Sequence, residues 1–153
     1  MVFGQKLALL EISLRDEYEK SFAILLKTMA SSGNGSRRTI AVDLDGVIAE
    51  YDGWKGPGVL GSPRFDVIEA LCDLRREGWK IVIHTTRGED EIASYLDRHG
   101  IPHDEINRNS DYSTGGPKPV ADVYWDDRAV GYSGDARKDL ELIRNFKTWS
   151  GRE

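Results

Sequence analysis

Three short apolar runs limit what this chain can fold into. Thr39-Ile40-Ala41-Val42 is β-branched and apolar, which suits a strand covered on both faces. Trp79 to His84 and Ala121 to Trp125 read the same way, and a shorter strand is predicted around Glu105-Ile106. Helical patterns lie between and after these runs. The first opens at Ser62-Pro63, as N-cap and first helical residue, turns Val67, Ile68, Leu71 and Leu74 inward, and stops at Gly78. The second runs from about Glu89 to His99 with Ile92 and Leu96 inward, and Gly100 and Pro102 close it. The last runs from about Ala136 to Trp149, with Leu140, Ile143 and Phe146 inward. Strands alternating with helices imply right-handed crossovers and a parallel sheet, hence an α/β fold.

In such sheets ligands bind beyond the carboxyl ends of the strands. Three of those ends are polar here: Asp43 and Asp45, then Thr85, Thr86 and Arg87, then Asp126 and Asp127. Lys118 stands in the loop before the last strand, and all can converge on one crevice. Asp43 and Asp45 are two residues apart at a strand end and point the same way. They repel unless a cation joins them, and carboxylates suit magnesium. The competing reading of the pair is a solvated turn. Gly46 lets the chain turn sharply after them. Ile48 to Gly61 follows, rich in Gly and aromatic residues, and reads as an ordered loop above the acids, with Tyr51 and Trp54 as candidate substrate contacts. His84, His99 and His103 show no ligand spacing, and His84 is read as packed near its strand end.

The 153 residues suggest one domain of ordinary size, and a hydrophobic fraction of 39% supports a core. A net charge of -5, a pI of about 5.3 and the lack of a basic block disfavour a general nucleic-acid binder. They leave room for a phosphorylated substrate met by a local positive site. The single cysteine, Cys72, excludes an intrachain disulfide, fits a reducing compartment and sits in an apolar helix pattern. No apolar run is long enough to span a bilayer. Leu7-Ala8-Leu9-Leu10 is interrupted at once by Glu11, too soon for a signal peptide, so a cytoplasmic protein is expected.

Acids, a hydroxyl and a lysine at one crevice suit phosphoryl transfer through a covalent aspartyl phosphate. A carboxylate can be the nucleophile, a metal and a lysine offset its repulsion from phosphate, and a second acid moves the proton. On these residues the sequence resembles a known family. "VDLDGV", "IVIHTTR", Lys118 and "VYWDD" look like the four ordered motifs of the haloacid dehalogenase-like (HAD) hydrolase superfamily, over Thr39 to about Val130. The resemblance implies a Rossmann-like parallel sheet flanked by helices. It implies Asp43 as nucleophile, Asp45 as general acid/base, Thr85 as phosphoryl-binding hydroxyl and Lys118 as the cation beside them. It further implies magnesium on Asp43, Asp126 and the backbone carbonyl of Asp45, with Asp127 assisting. An acid two residues after the nucleophile marks the phosphatase branch. Thr86 can replace Thr85 with a one-residue change of register, and Arg87 is a candidate substrate contact. Gly134-Asp135-Ala136-Arg137-Lys138-Asp139 also fits the last motif, but the buried strand before Asp126 favours Asp126 and Asp127. Ile48–Gly61 leaves no room for an inserted cap domain in that slot, so an open, capless site is expected. An open site admits a bulky substrate, including a nucleic-acid end, or closure by another subunit.

Residues 1–36 stand apart from the core at 37–153. Gln5 to Met29 form an amphipathic helical pattern, with Leu7, Leu10, Leu14, Tyr18, Leu25 and Met29 on one stripe. Ala30 to Ser36 is a linker by composition. The stripe predicts packing on the core or self-association into a homo-oligomer. Two other classes compete with the phosphatase reading. A signalling receiver is disfavoured by the Asp43-x-Asp45-Gly46 order, and a silent phosphate-binding module by the presence of a residue for every catalytic role.

Overall fold

The computed structural model describes residues 37–148. The helix expected at 5–29, the linker at 30–36 and the role in self-association lie outside the described residues. The elements are β1 (Thr39–Val42), α1 (Phe65–Arg76), β2 (Lys80–Ile83), α2 (Glu89–Arg98), β3 (Glu105–Ile106), β4 (Val123–Trp125) and α3 (Ala136–Arg144).

The four strands form one parallel sheet in the order β3-β2-β1-β4. This is the α/β architecture with a parallel sheet that the strand and helix alternation implies, and it is Rossmann-like, as the resemblance implies. β1 and β2 are buried along their whole lengths, as their apolar runs require. Val67, Ile68 and Leu71 of α1 and Ile92, Tyr95 and Leu96 of α2 join Ile40, Val42, Ile81 and Ile83 in one core. The chain moves outward from β1 to β2 to β3, then returns to place β4 on the other side of β1. That reversal opens a crevice at the carboxyl ends of β1 and β4. The register levels those ends, because Val42 lies opposite both Ile83 and Trp125. Asp43, His84 and Asp126 therefore leave the sheet side by side.

Three sequence expectations need correction. α1 begins at Phe65 with Arg64 as its N-cap, because Pro63 is held in a bridge with Ala49. β4 starts at Val123 and is not the buried strand expected before Asp126, since Val123 and Tyr124 are exposed; Asp122 uses its carboxylate to accept the Thr39 N–H at 2.6 Å. α3 ends at Arg144 and does not turn Leu140 and Ile143 inward; they are 41% and 57% exposed. Its buried residue is Asp139, whose Oδ2 accepts the Ser133 N–H at 3.1 Å and so fixes the helix entry.

A buried ion cluster sits at the opposite end of β2 from the crevice. Lys80 Nζ reaches Glu105 at 2.6 Å and Asp111 at 3.0 Å, and donates to Asn109 Oδ1 at 2.8 Å. Asn109 in turn donates to the Val120 carbonyl at 2.8 Å, tying the segment before β4 to the sheet. No helix among the described residues is long and apolar enough to cross a membrane.

Candidate active site

The chain leaves β1 through a tight turn. The Gly46 N–H donates to the Ala49 carbonyl at 2.8 Å, and the Ala49 N–H to the Leu44 carbonyl at 2.8 Å. Leu44 and Ile48 are fully buried beneath it, which anchors the turn in the core. Gly46 has φ +98°, and a Cβ there would meet Asp127 Oδ2 at 2.6 Å. The turn is thus shaped both by backbone freedom and by the close approach of the β4 acid. A second contact joins the same strands, where the Asp43 N–H donates to the Trp125 carbonyl at 2.9 Å.

Asp43, Asp126 and Asp127 come together, each offering an oxygen within 4.8 Å of the others. Burial pushes the Asp43 carboxyl up to about 7; a hydrogen bond from the Leu44 N–H at 2.8 Å opposes this, and Asp126, Asp127 and Asp45 add to it. Three oxygen donors crowded at such a cost are a donor set that fits magnesium. Asp45 is not part of this cluster. Its two oxygens accept from Arg87, Oδ2 from Nε at 2.6 Å and Oδ1 from Nη2 at 3.1 Å. The expected metal contact of Asp45 was through its carbonyl, and the side chain is committed elsewhere.

A cavity of about 220 Å³ opens over these acids. Asp43, Asp45 and Asp126 form its floor, Thr85 and Thr86 one wall, and Tyr51, His84 and Arg128 the remainder. Thr85 is buried and its hydroxyl accepts the Arg87 N–H at 3.2 Å, whereas Thr86 is exposed. Asn107, just after β3, supports this turn. Its Oδ1 accepts the Thr85 N–H at 2.8 Å while its own backbone takes the left-handed φ of 54° that Asn tolerates.

The remaining expected site residues are placed differently. Arg87 is not a substrate contact in this arrangement, since its side chain is 1% exposed and pairs with Asp45 and Glu91. Trp54 lies outside the cavity wall, its ring 4.7 Å from the Arg87 guanidinium. Lys118 is exposed, with its ammonium 4.1 Å from the Tyr124 ring rather than on the cavity wall. Asp135 caps α3 by accepting the Arg137 and Lys138 N–H groups, which accounts for it without a metal.

Asn107 and Arg128 are the support and wall residues that sequence reasoning missed; His84, read as packed near its strand end, packs edge-on against Tyr124 and also lines the cavity. Arg128 follows Asp127 directly, so its position beyond a strand end was the available signal. Its N–H donates to Asp126 Oδ1 at 2.7 Å and its guanidinium lies 5.6 Å from the Tyr51 ring.

No family model matches this chain, and no curated protein does either. Among solved structures, a conserved protein from Bacteroides thetaiotaomicron is 28% identical, with a TM-score of 0.52 over 76% of this chain and 97% of that one. A target protein from Vibrio cholerae is also 28% identical, with a TM-score of 0.41 over 72% of this chain and 99% of that one. The likeness to the Bacteroides protein supports the α/β fold assignment.

Proposed function

We propose that this protein is a magnesium-dependent phosphatase of the HAD type, hydrolysing a phosphomonoester through an aspartyl phosphate on Asp43. The observation that carries the reading is the meeting of Asp43, Asp126 and Asp127 beneath a cavity walled by Thr85, at the β1/β4 reversal. Magnesium, held by Asp43, Asp126 and Asp127, would offset the repulsion between a carboxylate nucleophile and a phosphate.

The chain's own residues supply the remaining chemistry. Asp43 Oδ1 is occupied by the Leu44 N–H, which leaves Oδ2 to attack phosphorus. The bond from phosphorus to the leaving oxygen breaks, and Asp45 gives that oxygen its proton; for this Asp45 must first take up a proton on Oδ1, the oxygen held at the longer 3.1 Å by Arg87, while Oδ2 stays on the guanidinium. Water then attacks the phosphoryl group and gives its proton to Asp45, and Asp43 is released. Thr85 donates to a phosphoryl oxygen, fixed for this by its bond from the Arg87 N–H. Lys118 would have to leave the Tyr124 ring to meet the phosphate.

The test is turnover of an aryl phosphate titrated with magnesium, followed by a screen of sugar phosphates, nucleotides and phosphorylated nucleic-acid ends. Asp43→Asn is expected to abolish turnover, since an amide does not attack phosphorus. Wild-type rates in that variant, or no magnesium dependence, would refute the reading.

A further inference from the structure

The site holds four carboxylates, yet only three of them gather. The fourth, Asp45, is bound by Arg87. Its guanidinium forks onto both oxygens of Asp45, at 2.6 and 3.1 Å, and that geometry fixes the plane of the carboxylate as well as its position. The other side of the fork holds Glu91 Oε1 at 2.5 Å. Nη2 also donates to the Val59 carbonyl at 3.1 Å, and Glu91 Oε1 accepts the Gly58 N–H at 3.0 Å. Trp54 covers the guanidinium. One buried side chain thus joins the end of β1, the first turn of α2 and the loop at 51–61.

We infer that Arg87 is a positioning residue that sorts the four acids: it holds the Asp45 carboxylate out of the Asp43, Asp126 and Asp127 cluster and fixes it beside the loop carrying Tyr51 and Trp54. The kinetic part of this inference rests on the phosphatase reading; the structural part does not. Without the fork, Asp45 is a fourth negative charge free to turn toward the other three. It would compete for the metal and would no longer face the leaving oxygen.

The test compares wild type, Arg87→Lys, Arg87→Gln, Asp45→Asn and the double variants. Arg87→Lys keeps the charge but loses the fork. With an alkyl phosphate of poor leaving ability, Arg87→Lys is expected to lower kcat roughly 10- to 100-fold with KM little changed, as misplacement of a reacting group does. In the Asp45→Asn background the same change should have no further effect. A raised KM at unchanged kcat, or an equal loss in both backgrounds, would overturn the inference and leave the phosphatase reading intact.

Two readouts are independent of turnover. Hydrogen exchange at the Gly58 amide should quicken in Arg87→Lys. Calorimetric magnesium affinity should tighten severalfold in Arg87→Gln and return to the Asp45→Asn level in the double variant. Unchanged exchange and unchanged affinity would overturn the inference even in a protein that hydrolyses nothing, and that absence of hydrolysis would overturn only the phosphatase reading. If Arg87→Gln does not fold, exchange and kinetics of Arg87→Lys decide.

Discussion

Asp43 holds its carboxyl at about 7 because burial and then its acidic neighbours outweigh the Leu44 N–H. An acid with a raised folded pKa binds its proton more tightly when folded than when unfolded. Its contribution to stability is therefore full below the ordinary value of 3.8 and is lost as pH rises toward about 7. In chelator, the wild-type melting temperature should fall across that window. Asp43→Asn, which has nothing to titrate, should give a flatter profile and a more stable metal-free protein at neutral pH. A melt series over the window checks this; parallel profiles for the two proteins would contradict it. Glu105 works in the opposite direction. Burial disfavours its charge, but Lys80 and Ser110 hold it at about 2, so its contribution is present above 4.5 and lost as pH falls toward 2.

At the level of elements, the turn after β1 and the start of β2 separate function from stability. Gly46→Ala adds a Cβ at 2.6 Å from the Asp127 carboxylate and strains a backbone at φ +98°. Asp127 must shift, so magnesium affinity should drop about tenfold or more while the fold survives; calorimetry on the folded variant tests it. Lys80→Met leaves the buried Glu105 with only the exposed Arg108, at 3.3 Å, and should cost about 3 kcal/mol, the low end for breaking a buried pair because Arg108 remains and Asp111 is half exposed. Denaturant unfolding should show that loss with magnesium affinity unchanged. Much of this was legible from the chain. A β-branched run ending in Asp43-x-Asp45-Gly46 is a local signal, and so is the Trp125-Asp126-Asp127 end of β4. Arg87 was not legible as a buried residue, because its partner Asp45 lies 42 positions away and only the fold brings them together. Lys80 was hidden for the same reason. The periodicity of α3 reveals which face is apolar but not whether anything covers it, which is why Leu140 and Ile143 were misplaced.

Across the whole molecule, the apolar residues left open on α3 and on the β4 edge, Val123 and Tyr124 among them, offer surface to another segment or subunit. Removing residues 1–36 is expected to reduce an oligomer of the 17.2 kDa chain to a monomer while metal binding is kept. Light scattering on both proteins decides; a full-length monomer would assign the N-terminal stripe to its own domain. The sheet order has one more consequence. Among the described residues β4 is three residues long, lies at the sheet edge and pairs with β1 alone, yet it delivers two of the three clustered acids. Brief detachment of this one strand would dismantle the proposed cation site without unfolding the remainder of the sheet. Ion occupancy would then act by mass action on that local equilibrium, adding about 2.7 kcal/mol of protection at a hundredfold excess over Kd. With magnesium in the proposed site, its free concentration would thereby set what share of the molecules hold the far end of the sheet closed.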